Sequence, residues 1–88
     1  NDIKRVKEEL SDEYYWFGGL NEARQHAMID ISFNLGQTRL RGFKKALDAM
    51  ATEDFDRAAD EFMDSRWAEQ VKGRAPEVTE MIRTGEYA

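Results

Sequence analysis

Between Glu22 and Phe33 the apolar residues Ala23, Ala27, Met28, Ile29, Ile31 and Phe33 cover most of a helix's circumference, above all in the second half of the stretch. A helix that is apolar on several sides has to be surrounded. It therefore predicts a central core helix with the remaining segments packed around it. Asn21 is a good N-cap for this helix, and Gly36, able to adopt positive φ, ends it after Leu35.

The flanking segments carry one-sided patterns suited to that role. Ile3, Val6 and Leu10 recur at helical spacing among charges, so residues 1–11 form an amphipathic helix. The chain starts with Asn1 inside this pattern, without methionine, which predicts further residues in front. Tyr14, Tyr15, Trp16 and Phe17 precede Gly18 and Gly19 and read as a loop whose rings pack down between helices. Residues 37–41 form a short turn, and Phe43, Ala46, Leu47 and Met50 give the next helical stripe. Thr52 is expected to cap a helix with Glu53 and Asp54 in its first turn and Phe55, Ala58, Ala59, Phe62 and Met63 buried. Residues 66–70 form a separate short helix. Pro76 opens the last one, whose inner face is Val78, Met81 and Ile82 and whose end is Gly85. No strand alternation or repeat interrupts this series. The expected fold is all-α, a compact bundle of five or six short helices around residues 27–33.

With 13 Lys plus Arg against 18 Asp plus Glu the net charge is -5, which disfavours a nonspecific nucleic-acid binder. The absence of cysteine excludes disulfides, thiolate metal sites and cysteine nucleophiles. No apolar run approaches the ~20 residues of a membrane span, so a soluble chain is expected.

The chemistry-bearing residues mostly have plain structural readings. His26, the one histidine, lacks carboxylate partners at metal-ligand spacing, and no nucleophile-elbow context surrounds Ser11, Ser32 or Ser65. The acidic run Glu53, Asp54, Asp56, Asp60, Glu61 and Asp64 lies opposite the Phe55, Ala58, Phe62 stripe, as a solvated face does; a carboxylate pair for glycoside hydrolysis is the alternative. Arg39, Arg41, Lys44 and Lys45 make a local basic patch that keeps a turn soluble or meets an anionic polymer. A helix-turn-helix DNA binder through this patch is a further alternative. The Tyr14 to Phe17 rings fill core or stack on sugar. Arg66 and Arg74 could each hold a carboxylate by paired, charge-assisted hydrogen bonds or sit in surface ion pairs.

Phe33-Asn34-Leu35-Gly36, Gly42-Phe43, Ala58-Ala59, Ser65-Arg66-Trp67, Arg74-Ala75 and Arg83-Thr84-Gly85 together resemble, in order and spacing, the carboxy-terminal helical lobe of phage-type (T4-like) lysozymes, from Leu20 to Tyr87. The resemblance implies a lysozyme-like lobe over residues 12–88, preceded in residues 1–11 by the end of an inter-lobe helix. It implies peptidoglycan glycan strands as partner, no cofactor or metal, and a substrate-binding set of Phe33, Asn34, Phe43, Arg66, Trp67 and Arg74. Ala46 and Glu61 stand where relatives can place serine or asparagine, so no glycan role passes to them. The family's catalytic glutamate, aspartate and threonine belong to a lobe with no counterpart here. The expected function is therefore the peptidoglycan-binding lobe of a muramidase acting on the MurNAc–GlcNAc β-1,4 bond at the bacterial cell wall. Its catalytic lobe would precede Asn1 or lie on another chain, and the 88 residues alone would be inactive. The alternative is a non-catalytic cell-wall-binding or protein-interaction module.

Overall fold

The computed structural model describes residues 2–87. Asn1, the expected start of the first helix, and Ala88, the expected end of the lobe, lie outside them. The described residues form seven α-helices, α1 (Asp2–Glu13), α2 (Glu22–Leu35), α3 (Gln37–Arg41), α4 (Lys44–Ala51), α5 (Phe55–Met63), α6 (Arg66–Gln70) and α7 (Ala75–Thr84), and a 3-10 turn at Phe17–Gly19. The all-α expectation holds. The count exceeds the expected five or six because residues 37–41 are a one-turn helix and not a simple turn.

α2 is the central element. Ala27, Met28 and Ile31 are fully buried, and Ile29 nearly so, because α1 covers one side and α7 another. Asn21 Oδ1 accepts from Arg24 N–H at 3.0 Å, taking up one of the free amides at the start of α2. At its other end Gly36 has φ 82° and its N–H donates to Ser32 O, so the chain turns directly into α3, anchored by the fully buried Leu40. Two polar contacts hold α3 against α1: Gln37 Nε2 donates to Glu9 at 3.1 Å, and Arg41 Nε to Glu13 at 2.8 Å.

α5 packs chiefly on α7 and α4. The facing residues Ala46 and Ala49 of α4 and Ala58 and Ala59 of α5 are almost completely buried; their short side chains permit close approach of the two backbones. Phe62 of α5 is fully buried between rings, with Phe43 stacked at 5.5 Å and Trp67 edge-on at 6.3 Å.

Three local expectations are corrected. Thr52 does not cap α5, which starts three residues later at Phe55; its Oγ1 donates to Asp48 O and Ala49 O and closes α4 instead. There Glu53 takes the left-handed position, φ 62°, and the N–H groups of Asp54 and Glu53 return to Ala49 O and Met50 O, so α4 ends before a new helix can begin. Met63, at the frayed end of α5, is 41% exposed and not part of the buried stripe. Of the aromatic quartet only Phe17 is fully buried, while Tyr14 stacks on Trp16 at 5.1 Å and Tyr15 projects outward, 87% exposed.

The start of α2 is bolted to the end of α7. Asn21 Nδ2 donates to Gly85 O at 2.7 Å, and Arg24 donates through Nε to Ile82 O at 2.8 Å and through Nη2 to Arg83 O at 3.2 Å. A cation thus meets the carbonyl end of α7, where its dipole is negative. The same guanidinium lies 3.6 Å over the Phe55 ring. This junction fixes the spacing of α2 and α7, and the surface between them follows from it.

Candidate functional site

Along α2, His26, Asp30, Phe33 and Asn34 recur at i, i+4, i+7 and i+8, a partly polar stripe beside the buried residues of the central helix. With Ile29 it forms one wall of a groove of about 420 Å³; α7 supplies the other through Glu77 and Met81, with Arg74 at its entrance. Ile3 of α1 and Tyr87 beyond α7 complete it.

Asp30 organises the polar side of this groove. Its Oδ2 accepts from Arg74 Nε at 2.6 Å, and its Oδ1 accepts from Asn34 Nδ2 at 3.2 Å, while the same Asn34 amide also donates to Asp30 O at 2.9 Å. Both carboxylate oxygens are therefore engaged. The ion pair is lopsided, with the Arg74 side chain 61% exposed and that of Asp30 21%. Such a pair adds little to stability. It does orient the guanidinium of Arg74, which lines the groove together with Phe33, itself 48% exposed. A half-exposed ring next to fixed, planar hydrogen-bonding groups is an arrangement that can hold a sugar: the ring packs on an apolar sugar face and the polar groups meet its hydroxyl and amide groups.

At the far end Tyr87 Oη lies 2.8 Å from His26 Nδ1, with the two rings edge to face. Although Tyr87 is 55% exposed, burial of its hydroxyl pushes the phenol above its ordinary range, helped by a hydrogen bond to Glu22 and by that carboxylate's charge. It stays protonated at neutral pH and able to donate.

A second groove, also about 420 Å³, lies between α3 and α6 and is lined by Leu35, Arg39, Gly42, Phe43, Ser65, Arg66, Trp67 and Gln70. The six expected site residues therefore divide. Phe33 and Arg74 line the first groove, and Asn34 is tied to it through Asp30; Phe43, Arg66 and Trp67 line the second. Phe33 and Leu35, two residues apart on α2, point to opposite flanks of the helix and so to different grooves. Trp67 is 2% exposed, more core than binding surface, and its buried Nε1–H has no acceptor among the described residues.

Asp30 and Tyr87 were missed as site residues. The polar stripe at helical spacing on α2 was a usable sign of Asp30. The remaining candidates take structural parts. Asp56 and Asp60 pair with Arg83, at 3.6 and 2.9 Å, on the outer face of α5. His26 meets Tyr87 and no serine; Ser65 caps α6, accepting from Ala68 N–H, and Ser32 is buried in α2. Among the described residues no group of three His, Cys, Asp or Glu could hold a metal ion, and no helix is long and apolar enough to cross a membrane.

No family model matches the chain. Over 66 residues the chain is 38% identical to the pre-baseplate central spike protein Gp5 of Enterobacteria phage T4. The match covers 75% of the chain and 12% of that protein, so the chain spans about an eighth of its relative's length. The similarity associates the chain with phage. It also corrects the expected membership of the phage-type lysozyme family: the relative is a spike protein by name, and no lysozyme family model is matched. The physical reason is that the motifs behind that expectation are chiefly folding devices. Ser65 caps α6, Gly36 and Gly85 take positive φ at helix ends, and Trp67 fills core. A helical lobe needs them whatever it binds.

Proposed function

We propose that this chain is a cell-wall-binding helical module of a phage particle protein, holding a peptidoglycan glycan strand in the groove between α2 and α7. The observation that carries this is the Asp30, Arg74 and Asn34 array fixed beside the half-exposed Phe33. The similarity to a pre-baseplate central spike protein of a phage supports the phage-particle setting. No hydrolytic step is assigned to this groove, whose lining carboxylates are Asp30, paired with Arg74, and the exposed Glu77.

Co-sedimentation with purified sacculi tests the proposal. The wild type is expected in the pellet, Phe33→Ala and Arg74→Ala mostly in the supernatant, and the turbidity of the suspension unchanged. Equal sedimentation of wild type and both variants would remove the groove from the account. The exposed apolar rim of Ile3, Phe33 and Tyr87 favours a second reading, docking of a protein segment. Under that reading none of the three proteins sediments.

A further inference from the structure

A cavity of about 260 Å³ between the 3-10 turn and the end of α4 shares no lining residue with the groove at Phe33. Trp16, Gly19 and Leu20 line one side of it and Ala51, Thr52 and Glu53 the other, and the buried Met50 adds to its apolar lining. Its charge sets it apart. The groove at Phe33 contains Arg74, the groove between α3 and α6 contains Arg39 and Arg66, and two further cavities contain Lys44 with Lys45 and Lys4 with Lys7. This cavity is lined by one charged side chain, the carboxylate of Glu53, and by no basic one.

Three separate features favour positive charge there. The carbonyl end of α4 adjoins the cavity, and the last turn of that helix has no basic residue to answer its negative pole, whereas the corresponding end of α7 is met by Arg24. Glu53 is the one non-glycine position with positive φ among the described residues, 62°, so a carboxylate stands where glycine would close the turn without strain. Trp16 is stacked on Tyr14 at 5.1 Å with 29° between the planes, which holds the indole as a fixed wall, and tryptophan is the ring that attracts cations most strongly.

We infer that this cavity binds an alkylammonium group, with its methylenes on Leu20 and its charge between Trp16 and Glu53. Such a group is carried by a small amine or by the tip of a lysine side chain on a partner polypeptide.

The test titrates 15N-labelled chain with n-butylammonium, with Nα-acetyl-lysine methylamide and with n-butanol, following the Trp16 indole N–H and the Glu53 amide. Both ammonium probes are expected to give saturable shifts in the millimolar range, and n-butanol much smaller ones. Glu53→Gln, at an exposed position, and Trp16→Leu should each weaken ammonium binding about two- to fivefold, and Glu53→Lys should abolish it, with folding checked by circular dichroism. If Trp16→Leu does not fold, the two Glu53 variants carry the test. Tighter binding of the lysine derivative than of n-butylammonium supports the site as one for a polypeptide lysine; equal binding supports it as one for a small amine. A response to n-butanol equal to that of the ammonium probes, ammonium binding unchanged in Glu53→Gln and Glu53→Lys, or no shifts at tens of millimolar overturns the inference. Chitotetraose shifts at Phe33 should persist in every variant, so failure here leaves the glycan groove standing.

Discussion

Replacing Arg24 by alanine strips the junction that sets α2 against α7. Two hydrogen bonds are lost, to Ile82 O at 2.8 Å and Arg83 O at 3.2 Å, together with the guanidinium 3.6 Å over Phe55. A hydrogen bond from a charged donor contributes about 1.5–3 kcal/mol, and the ring contact at a half-buried site adds about 0.5–1 kcal/mol. The longer second bond contributes less, and all three share one side chain and are not additive, so the expected loss is about 2–4 kcal/mol. A domain of this length has roughly 4–13 kcal/mol in all. The midpoint of thermal unfolding, followed by circular dichroism at 222 nm, should therefore fall by about 10–25 °C. Arg24→Lys, which keeps a cation near the carbonyls but not the forked geometry, should recover part of the loss. A change in stability within about 0.5 kcal/mol for Arg24→Ala, the range of an ordinary surface substitution, would refute the assignment of Arg24 as the bolt.

Other consequences follow from the helix ends and from Tyr14. Glu53 holds φ 62° where glycine is the unstrained choice, so Glu53→Gly should raise stability by about 1 kcal/mol in urea unfolding. Gly85→Ala should do the reverse, by more than about 1 kcal/mol, because φ is 74° and the new Cβ would lie 2.8 Å from Asn21 Nδ2 and 2.9 Å from Arg24 Cζ. Burial, then the charge of Glu13, pushes the Tyr14 phenol above its ordinary value, opposed by Arg41. A raised folded-state value means that the folded chain keeps this proton longer than the unfolded one. Its contribution is thus complete below about pH 10 and is lost as pH rises through the folded value. Urea midpoints measured across that range should fall less steeply for Tyr14→Phe than for wild type; identical slopes would contradict the assignment.

The fold was legible wherever it depends on neighbours in sequence. Asn21, Gly36, Pro76 and Gly85 act within a few residues of themselves, and each stands at the helix end its type suggests. Thr52 shows the limit: both a cap for α5 and a close for α4 suit a threonine, and only the left-handed turn at Glu53 decides between them. The site was less legible because its contacts are long-range. Asp30 and Arg74 are 44 residues apart, and Arg24 reaches Ile82 across 58. Nor could spacing alone show that Phe33 and Phe43 face different grooves.

The central claim is that the wall between α2 and α7 receives a glycan strand. Titrating 15N-labelled chain with chitotetraose and following amide and side-chain resonances tests it most directly. The account predicts shifts clustered at Phe33, Asn34, Arg74 and Tyr87, lost in Phe33→Ala. Shifts confined to other faces of the molecule, or none at millimolar sugar, would contradict it.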